Sequence, residues 1–194
     1  SPESLFEEMI ADIPPGSNGL VLQPYWSPDR VYCDAYGKGA VIGFSDRHTR
    51  AHLYRAILEG IVFALKDGAK ITNDKLKQPF TKLRVSGGGS QSRTALQITA
   101  DVFNLPVEVP SVNETGMLGA AMNAAVGLGY YPDYAAAVAG MTHIRETVHP
   151  IPKNRDLYER LYQNVYRKLY RRLRPLYRHL ACSGAIDWNK ESSQ

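Results

Sequence analysis

Ser86-Gly87-Gly88-Gly89-Ser90 is the stretch whose residue types and spacing could do chemistry. A short β-prone run from Leu83 ends at Ser86, three glycines follow, and an amphipathic segment from Thr94 to Asn104 opens directly after them. Glycines at a strand-to-helix turn admit positive φ and let a ligand approach main chain without meeting a Cβ. The helix behind them turns unpaired N–H groups and the positive end of its dipole to the same place. A nucleotide is the natural guest of such a turn, and a tight βα turn with no ligand fits the local residues as well. The run has neither the GK[ST] ending of a P-loop nor the G-x-G-x-x-G spacing of a dinucleotide fold. Ser90 is the candidate cap of the helix, since its hydroxyl can accept from an N–H two or three residues on. Arg93 reads as a solvated helix residue.

The remaining polar constellations read structurally. Asn113-Glu114-Thr115-Gly116 precedes a helix, and Asn113 and Thr115 read as its caps. Arg55 and Glu59 stand four apart, the spacing of a helical ion pair worth a few tenths of a kcal/mol. His48 and His52 share that spacing, but no Glu follows the first and no third ligand is suggested, so a surface pair near a helix start is expected rather than a zinc site. Cys33 and Cys182 are far apart and form no Cys-x-x-Cys, which fits a reducing compartment and indicates neither a disulfide framework nor a metal site. No Ser-His-Asp or Cys-His arrangement has support, and no acid, including Asp29, Asp34 and Asp46, is assigned a catalytic role.

The elements that must position the glycine turn alternate strand and helix. Ser4 to Ile13 reads as a short helix with Leu5, Phe6, Met9 and Ile10 on one side, stopped by Pro14-Pro15-Gly16-Ser17. Leu20 to Leu22 and Ala40 to Phe44 read as strands, with a loop from Ser27 to Lys38 between them. A long helix spans about Thr49 to Ile71, its apolar face carried by Leu53, Ala56, Ile57, Gly60, Ile61, Ala64 and Leu65. Gly60 within it indicates close packing on a sheet. Leu83 to Ser86 and Val107 to Val109 are strands that each lead into a helix, the second being Gly116 to Leu128. This order is that of an α/β sandwich.

The chain has 194 residues, enough for one domain or one lobe of something larger, and could bury about 70% of its unfolded surface. No apolar run approaches the roughly 18 residues of a bilayer span. The formal charge of +4 is unevenly placed: Arg155 to Arg178 holds eight Lys or Arg against Asp156 and Glu159, which leaves the remainder slightly acidic. That distribution argues against a nucleic-acid footprint over the body of the protein. Within the basic segment Tyr158, Tyr162, Tyr166 and Tyr170 recur every fourth residue, a stripe read as core contact with the arginines as its solvated face. Pro175 is expected to kink or end that helix.

Four motifs in order carry a resemblance: Gly19-Leu-Val-Leu-Gln-Pro-Tyr25, Arg55-Ala-Ile-Leu-Glu-Gly60, Ser86-Gly-Gly-Gly-Ser90 and Asn113-Glu-Thr-Gly-Met-Leu-Gly-Ala-Ala121. Together they resemble the C-terminal half of FGGY-type carbohydrate kinases, over about Gly19 to Tyr131 and more loosely in the C-terminal helix. Many members carry Gly-Glu-Arg after the Pro-Tyr, where this chain has Trp26-Ser27-Pro28. The resemblance implies a ribonuclease H-like, actin-like ATPase fold, with residues 1–194 as a partial C-terminal lobe of a two-lobed sugar kinase and 155–180 as its C-terminal helix. It implies that the main chain of Gly87, Gly88 and Gly89 lies against ATP, with Ser90 at the turn and Ser92 as the polar side chain in reach. It further implies Mg held mainly by ATP and the other lobe, a sugar or polyol acceptor, a cytoplasmic location, and no nucleic-acid or membrane partner. The chain opens on Ser1-Pro2 without Met and is read as an excised fragment, inactive by itself, with the catalytic base and the first phosphate loops upstream. A sheet edge left free in this way would favour homo-oligomers. A non-catalytic actin- or chaperone-like ATP switch, and a basic interaction module working through the C-terminal helix, are the other readings.

Overall fold

The chain runs α1 (Pro2–Ile10), β1 (Val21–Gln23), β2 (Ala40–Ile42), α2 (Arg50–Leu76), β3 (Leu83–Arg84), α3 (Arg93–Phe103), β4 (Val107–Pro110), α4 (Thr115–Gly127), α5 (Tyr134–Met141), β5 (Ile144–Val148), α6 (Pro152–Leu161), a π-helical turn (Tyr162–Tyr166) and α7 (Arg167–Cys182). The computed structural model describes residues 2–26, 36–77 and 79–183. Asp29, Cys33, Asp34 and most of the loop expected from Ser27 to Lys38 lie outside them. Two units make up the chain, residues 1–11 with 78–155 and residues 12–77 with 156–194.

In the first unit β3 and β4 run parallel, Leu83 opposite Val107, because the crossover between them is the helix α3. β5 closes the other side of β4 in antiparallel register, Val107 opposite Val148. Leu96 and Ala100 of α3 meet Val107, Val109 and Val148 in one core, with Leu83 and Val85 packed against it. Asp101 is buried in the same helix and is fully used: its carboxylate accepts from the Ile151 N–H at 2.7 Å, Asn154 Nδ2 at 2.9 Å and Gln97 Nε2 at 2.9 Å. It thereby holds the start of α6. In α1 only Ile10 of the expected apolar face is buried, while Leu5 and Phe6 are exposed.

In the second unit β1 and β2 form an antiparallel pair, Val21 opposite Ile42. Leu20, Leu22 and Ala56 make the core between that pair and α2, joined by Val41, Leu53 and Ile57. A Cβ at Gly60 would sit 2.4 Å from the Leu22 carbonyl oxygen, so helix and strand meet backbone to backbone there, as the isolated glycine indicated. α2 runs on to Leu76, and Ile61 and Leu65, expected on its buried face, are exposed.

The tyrosine stripe is core. Tyr158, Tyr162, Tyr166 and Tyr170 are all buried. Phe63 of α2 meets the Tyr162 ring at 5.8 Å and the Tyr166 ring at 5.1 Å, and Tyr25 meets Tyr170 edge-on at 5.7 Å. Pro175 does not end the helix, which continues to Cys182; the departure from α geometry comes earlier, at Tyr162–Tyr166.

Candidate functional site

β3 and β4 point the same way, so their carboxyl ends deliver two strand-to-helix turns side by side. The turns are tied together. The Gly87 N–H donates to the Asn113 carbonyl at 3.2 Å, Ser90 Oγ lies 3.4 Å from Asn113 Oδ1, and the hydroxyls of Ser86 and Thr115 are 3.4 Å apart. Beyond the carboxyl ends of parallel strands is where open α/β sheets hold their ligands.

The three glycines have different reasons to be there. Gly87 sits at φ 75°, ψ −159°, a backbone conformation that belongs to glycine alone. Gly88 and Gly89 open a single 3₁₀ turn, Gly88–Gln91, and neither has positive φ. Both are exposed, and among the described residues a Cβ built on either would meet nothing within 4 Å. Backbone strain explains the first glycine, and nothing in the packing requires the other two.

Ser92, not Ser90, caps the helix. Ser90 is buried and caps no helix: its hydroxyl donates to the Gly87 carbonyl at 2.7 Å and pins the turn shut from below. Ser92 is the N-cap of α3, which begins at Arg93, and its hydroxyl accepts from the Ala95 N–H at 3.0 Å. The same hydroxyl donates to Glu7 Oε1 of α1. Glu7 also accepts from Thr94 Oγ1 at 2.7 Å and from the Thr94 N–H at 3.3 Å, so a carboxylate completes the positive end of α3. Nothing in the sequence links residues 7 and 92, and Glu7 went unnoticed there for that reason. Arg93 is a surface residue paired with Glu146 at 2.6 Å.

Asn113 and Thr115 are not caps either. Glu114 takes the N-cap position of α4 without a side-chain hydrogen bond, while the Asn113 carbonyl accepts from Thr115 and Gly87. Their work is to brace the glycine turn.

Two further expectations change with depth. Arg55 and Glu59 are paired at 3.0 Å, but buried rather than on the surface. Glu59 also accepts from Tyr158 Oη at 2.7 Å, the Gly16 N–H at 2.9 Å and Ser17 Oγ at 3.0 Å. Burial pushes the Glu59 carboxyl upward against those donors, and burial next to Glu59 pushes the Tyr158 phenol far above its usual range. His52 is buried as well, with Nδ1 3.0 Å from Thr49 Oγ1 and Nε2 2.9 Å from Asn18 Nδ2, so its ring is a helix-start brace rather than a surface residue. Among the described residues no three His, Cys, Asp or Glu side chains gather as a metal site, and no helix is long and apolar enough to cross a membrane.

The glycine turn, its brace and the order of elements around it agree with a sequence match. The C-terminal domain of the FGGY family of carbohydrate kinases matches residues 2–128. The chain belongs to that family. It is 38% identical over 161 residues to the uncharacterized sugar kinase YgcE of Escherichia coli K12, covering 83% of this chain and 32% of that protein. It is 36% identical over 159 residues to a xylulose kinase of Staphylococcus epidermidis, covering 80% of this chain and 32% of that protein. The crystal structure of a xylulose kinase from Rhodospirillum rubrum superposes with a TM-score of 0.76 at 30% identity, over 90% of this chain and 35% of that one. The chain therefore spans about a third of the length of the FGGY kinases it matches, and its fold is the actin-like ATPase fold of their C-terminal domain.

Proposed function

We propose that this chain forms the nucleotide-holding wall of a carbohydrate kinase, which transfers the γ-phosphoryl group of ATP to a hydroxyl of a sugar or polyol. The observation that carries this reading is the pair Gly88 and Gly89: exposed, free of positive φ, and with open space where their side chains would be. Residues that the fold leaves unconstrained and that nevertheless lack a side chain are suited to main-chain contact with a flat ligand. In this role Gly87 sets the turn, Gly88 and Gly89 face the nucleoside, Ser90 holds the turn's shape, and Ser92 stands at the start of α3 within reach.

Phosphoryl transfer asks a protein chiefly for positioning and charge stabilisation around MgATP. The chain's share is the positioning of the nucleotide; Mg travels on the phosphates, and no residue here is assigned as the base. The similarity to xylulose kinases puts pentuloses first among acceptors to be tried. FGGY membership favours a kinase over an actin- or chaperone-like switch, and the buried tyrosine stripe leaves α7 no row of rings on which nucleic-acid bases could stack.

Titration of the purified chain with ADP, followed through the Gly87–Gly89 amide resonances, tests the assignment. Saturable shifts confined to Gly87–Ser92 and Asn113–Thr115 are expected. Shifts elsewhere, or none at millimolar ADP, would reject it.

A further inference from the structure

We infer that Glu7 is a positioning residue of the nucleotide site: it fixes the Ser92 hydroxyl as a hydrogen-bond acceptor, so the site takes a nucleoside edge that donates. The inference rests on the nucleotide reading of the glycine turn and adds to it what chemistry the ligand must present at Ser92.

A serine hydroxyl has one hydrogen to give and two lone pairs. The Ser92 hydrogen goes to Glu7 Oε1, and one lone pair receives the Ala95 N–H at 3.0 Å. One lone pair remains. Glu7 is held in turn by Thr94 Oγ1 at 2.7 Å and the Thr94 N–H at 3.3 Å, and so has a fixed aim. With the hydrogen committed, Ser92 has nothing to offer an acceptor. Phosphate oxygens are acceptors only and carry the same sign of charge as Glu7, so both geometry and electrostatics turn the phosphates away from the start of α3. What fits the remaining lone pair is an exocyclic amine or a ribose hydroxyl. Glu7 thus reads the nucleoside through Ser92, without touching it.

The test compares ADP with three analogues that each lack one donor: inosine diphosphate (6-oxo for 6-amino), 2′-deoxy-ADP and 3′-deoxy-ADP. Each is titrated by amide shifts into the chain and into its Glu7→Gln and Ser92→Ala variants. On the parent, one analogue should bind about 3- to 10-fold more weakly than ADP, the size of one net hydrogen bond. In Glu7→Gln the amide N–H can donate to Ser92 and release its hydroxyl, so that penalty should fall below about 2-fold while ADP still binds. Ser92→Ala should erase the same penalty while Glu7 keeps its hydrogen bonds from Thr94. A penalty unchanged in Glu7→Gln, or no penalised analogue on the parent, overturns the role of Glu7, and one unchanged in Ser92→Ala overturns the contact at Ser92. Failure of the parent to bind any of the four overturns the nucleotide reading and this inference with it. A thermal melt of each variant separates loss of fold from loss of selectivity, because unfolding weakens all four ligands alike.

Discussion

Tyr158 donates its phenolic O–H to Glu59 at 2.7 Å, across 99 residues of sequence. Arg55 closes the contact, with Nη2 donating to the same phenolic oxygen at 3.2 Å and Nε to the carboxylate at 3.0 Å. Gly16 and Ser17 complete it from the turn before β1. The spacing of Arg55 and Glu59 suggested a helical ion pair worth a few tenths of a kcal/mol; depth and three extra donors make it the polar centre of its unit. A buried carboxylate is tolerable only while its donors stay in place.

Removing one member should therefore cost far more than a surface pair. Tyr158→Phe takes one donor from Glu59 and should lower stability by about 1–3 kcal/mol. Glu59→Ala strands the Arg55 guanidinium and should cost about 3–5 kcal/mol. Urea unfolding checks both, and midpoints equal to the parent would show the network to be inert.

Alkaline pH offers a second handle. Burial raises the Tyr158 phenol strongly and the Tyr177 phenol to about 12. Each holds its proton more tightly folded than unfolded, so its contribution is complete below about pH 10, the unfolded value, and drains away as pH rises from there toward the folded value. For Tyr158 the loss should approach about 1.4 kcal/mol per pH unit, with a smaller share from Tyr177. Stability measured from pH 9 to 11.5 should fall with that slope in the parent and more gently in Tyr158→Phe; parallel curves would contradict the assignment.

Glycine substitutions should separate packing from ligand. Gly60→Ala drives a Cβ to 2.4 Å from the Leu22 carbonyl oxygen, and the helix must lift from β1 at a cost of about 1–3 kcal/mol or more. A Cβ at Gly88 meets no atom of the described residues within 4 Å, so Gly88→Val should fold like the parent and lose ADP binding to the new side chain. Unchanged ADP affinity in a folded Gly88→Val variant would remove the nucleotide from this turn.

The C-terminal helix gives the last test. Leu169 is 8% exposed, and Leu169→Ala should destabilise by about 2–5 kcal/mol. A denaturation midpoint equal to the parent's, together with salt-sensitive loss of nucleic-acid binding, would instead make this helix a docking surface.

Much of the architecture was legible because its signals are contiguous. A strand, three glycines and a helix follow one another between Leu83 and Phe103, and the every-fourth-residue tyrosines declare a buried stripe. What stayed hidden is non-local. β5 has only Val148 buried, too little alternation to read as a strand before β4 is in place beside it. Ser90 reads as the cap of α3, but the 3₁₀ turn puts Ser92 there instead, with Glu7, 85 residues away, on its hydroxyl. Asn113 looked like a cap because its partner, Gly87, lies on another strand's turn. The depth of Arg55 and Glu59 was likewise set by Gly16 and Tyr158, remote in sequence and decisive in space.

The π-helical turn at Tyr162–Tyr166 keeps the tyrosine ladder in phase. In α geometry a step of four residues overshoots a full turn by about 40°, so three such steps would swing Tyr170 roughly a third of the way around the helix from Tyr158. A wider turn in the middle winds less per residue and takes back part of that overshoot. The helix works as a geared shaft, with one slack tooth between two regular stretches. Its slack runs one way: the turn already holds about one residue more than an α turn, so deleting a single residue from 162–166 would let the helix run on in α geometry with Tyr170 and Tyr177 near their present faces, whereas inserting one would rotate everything downstream by about 100° and turn them away from Tyr25.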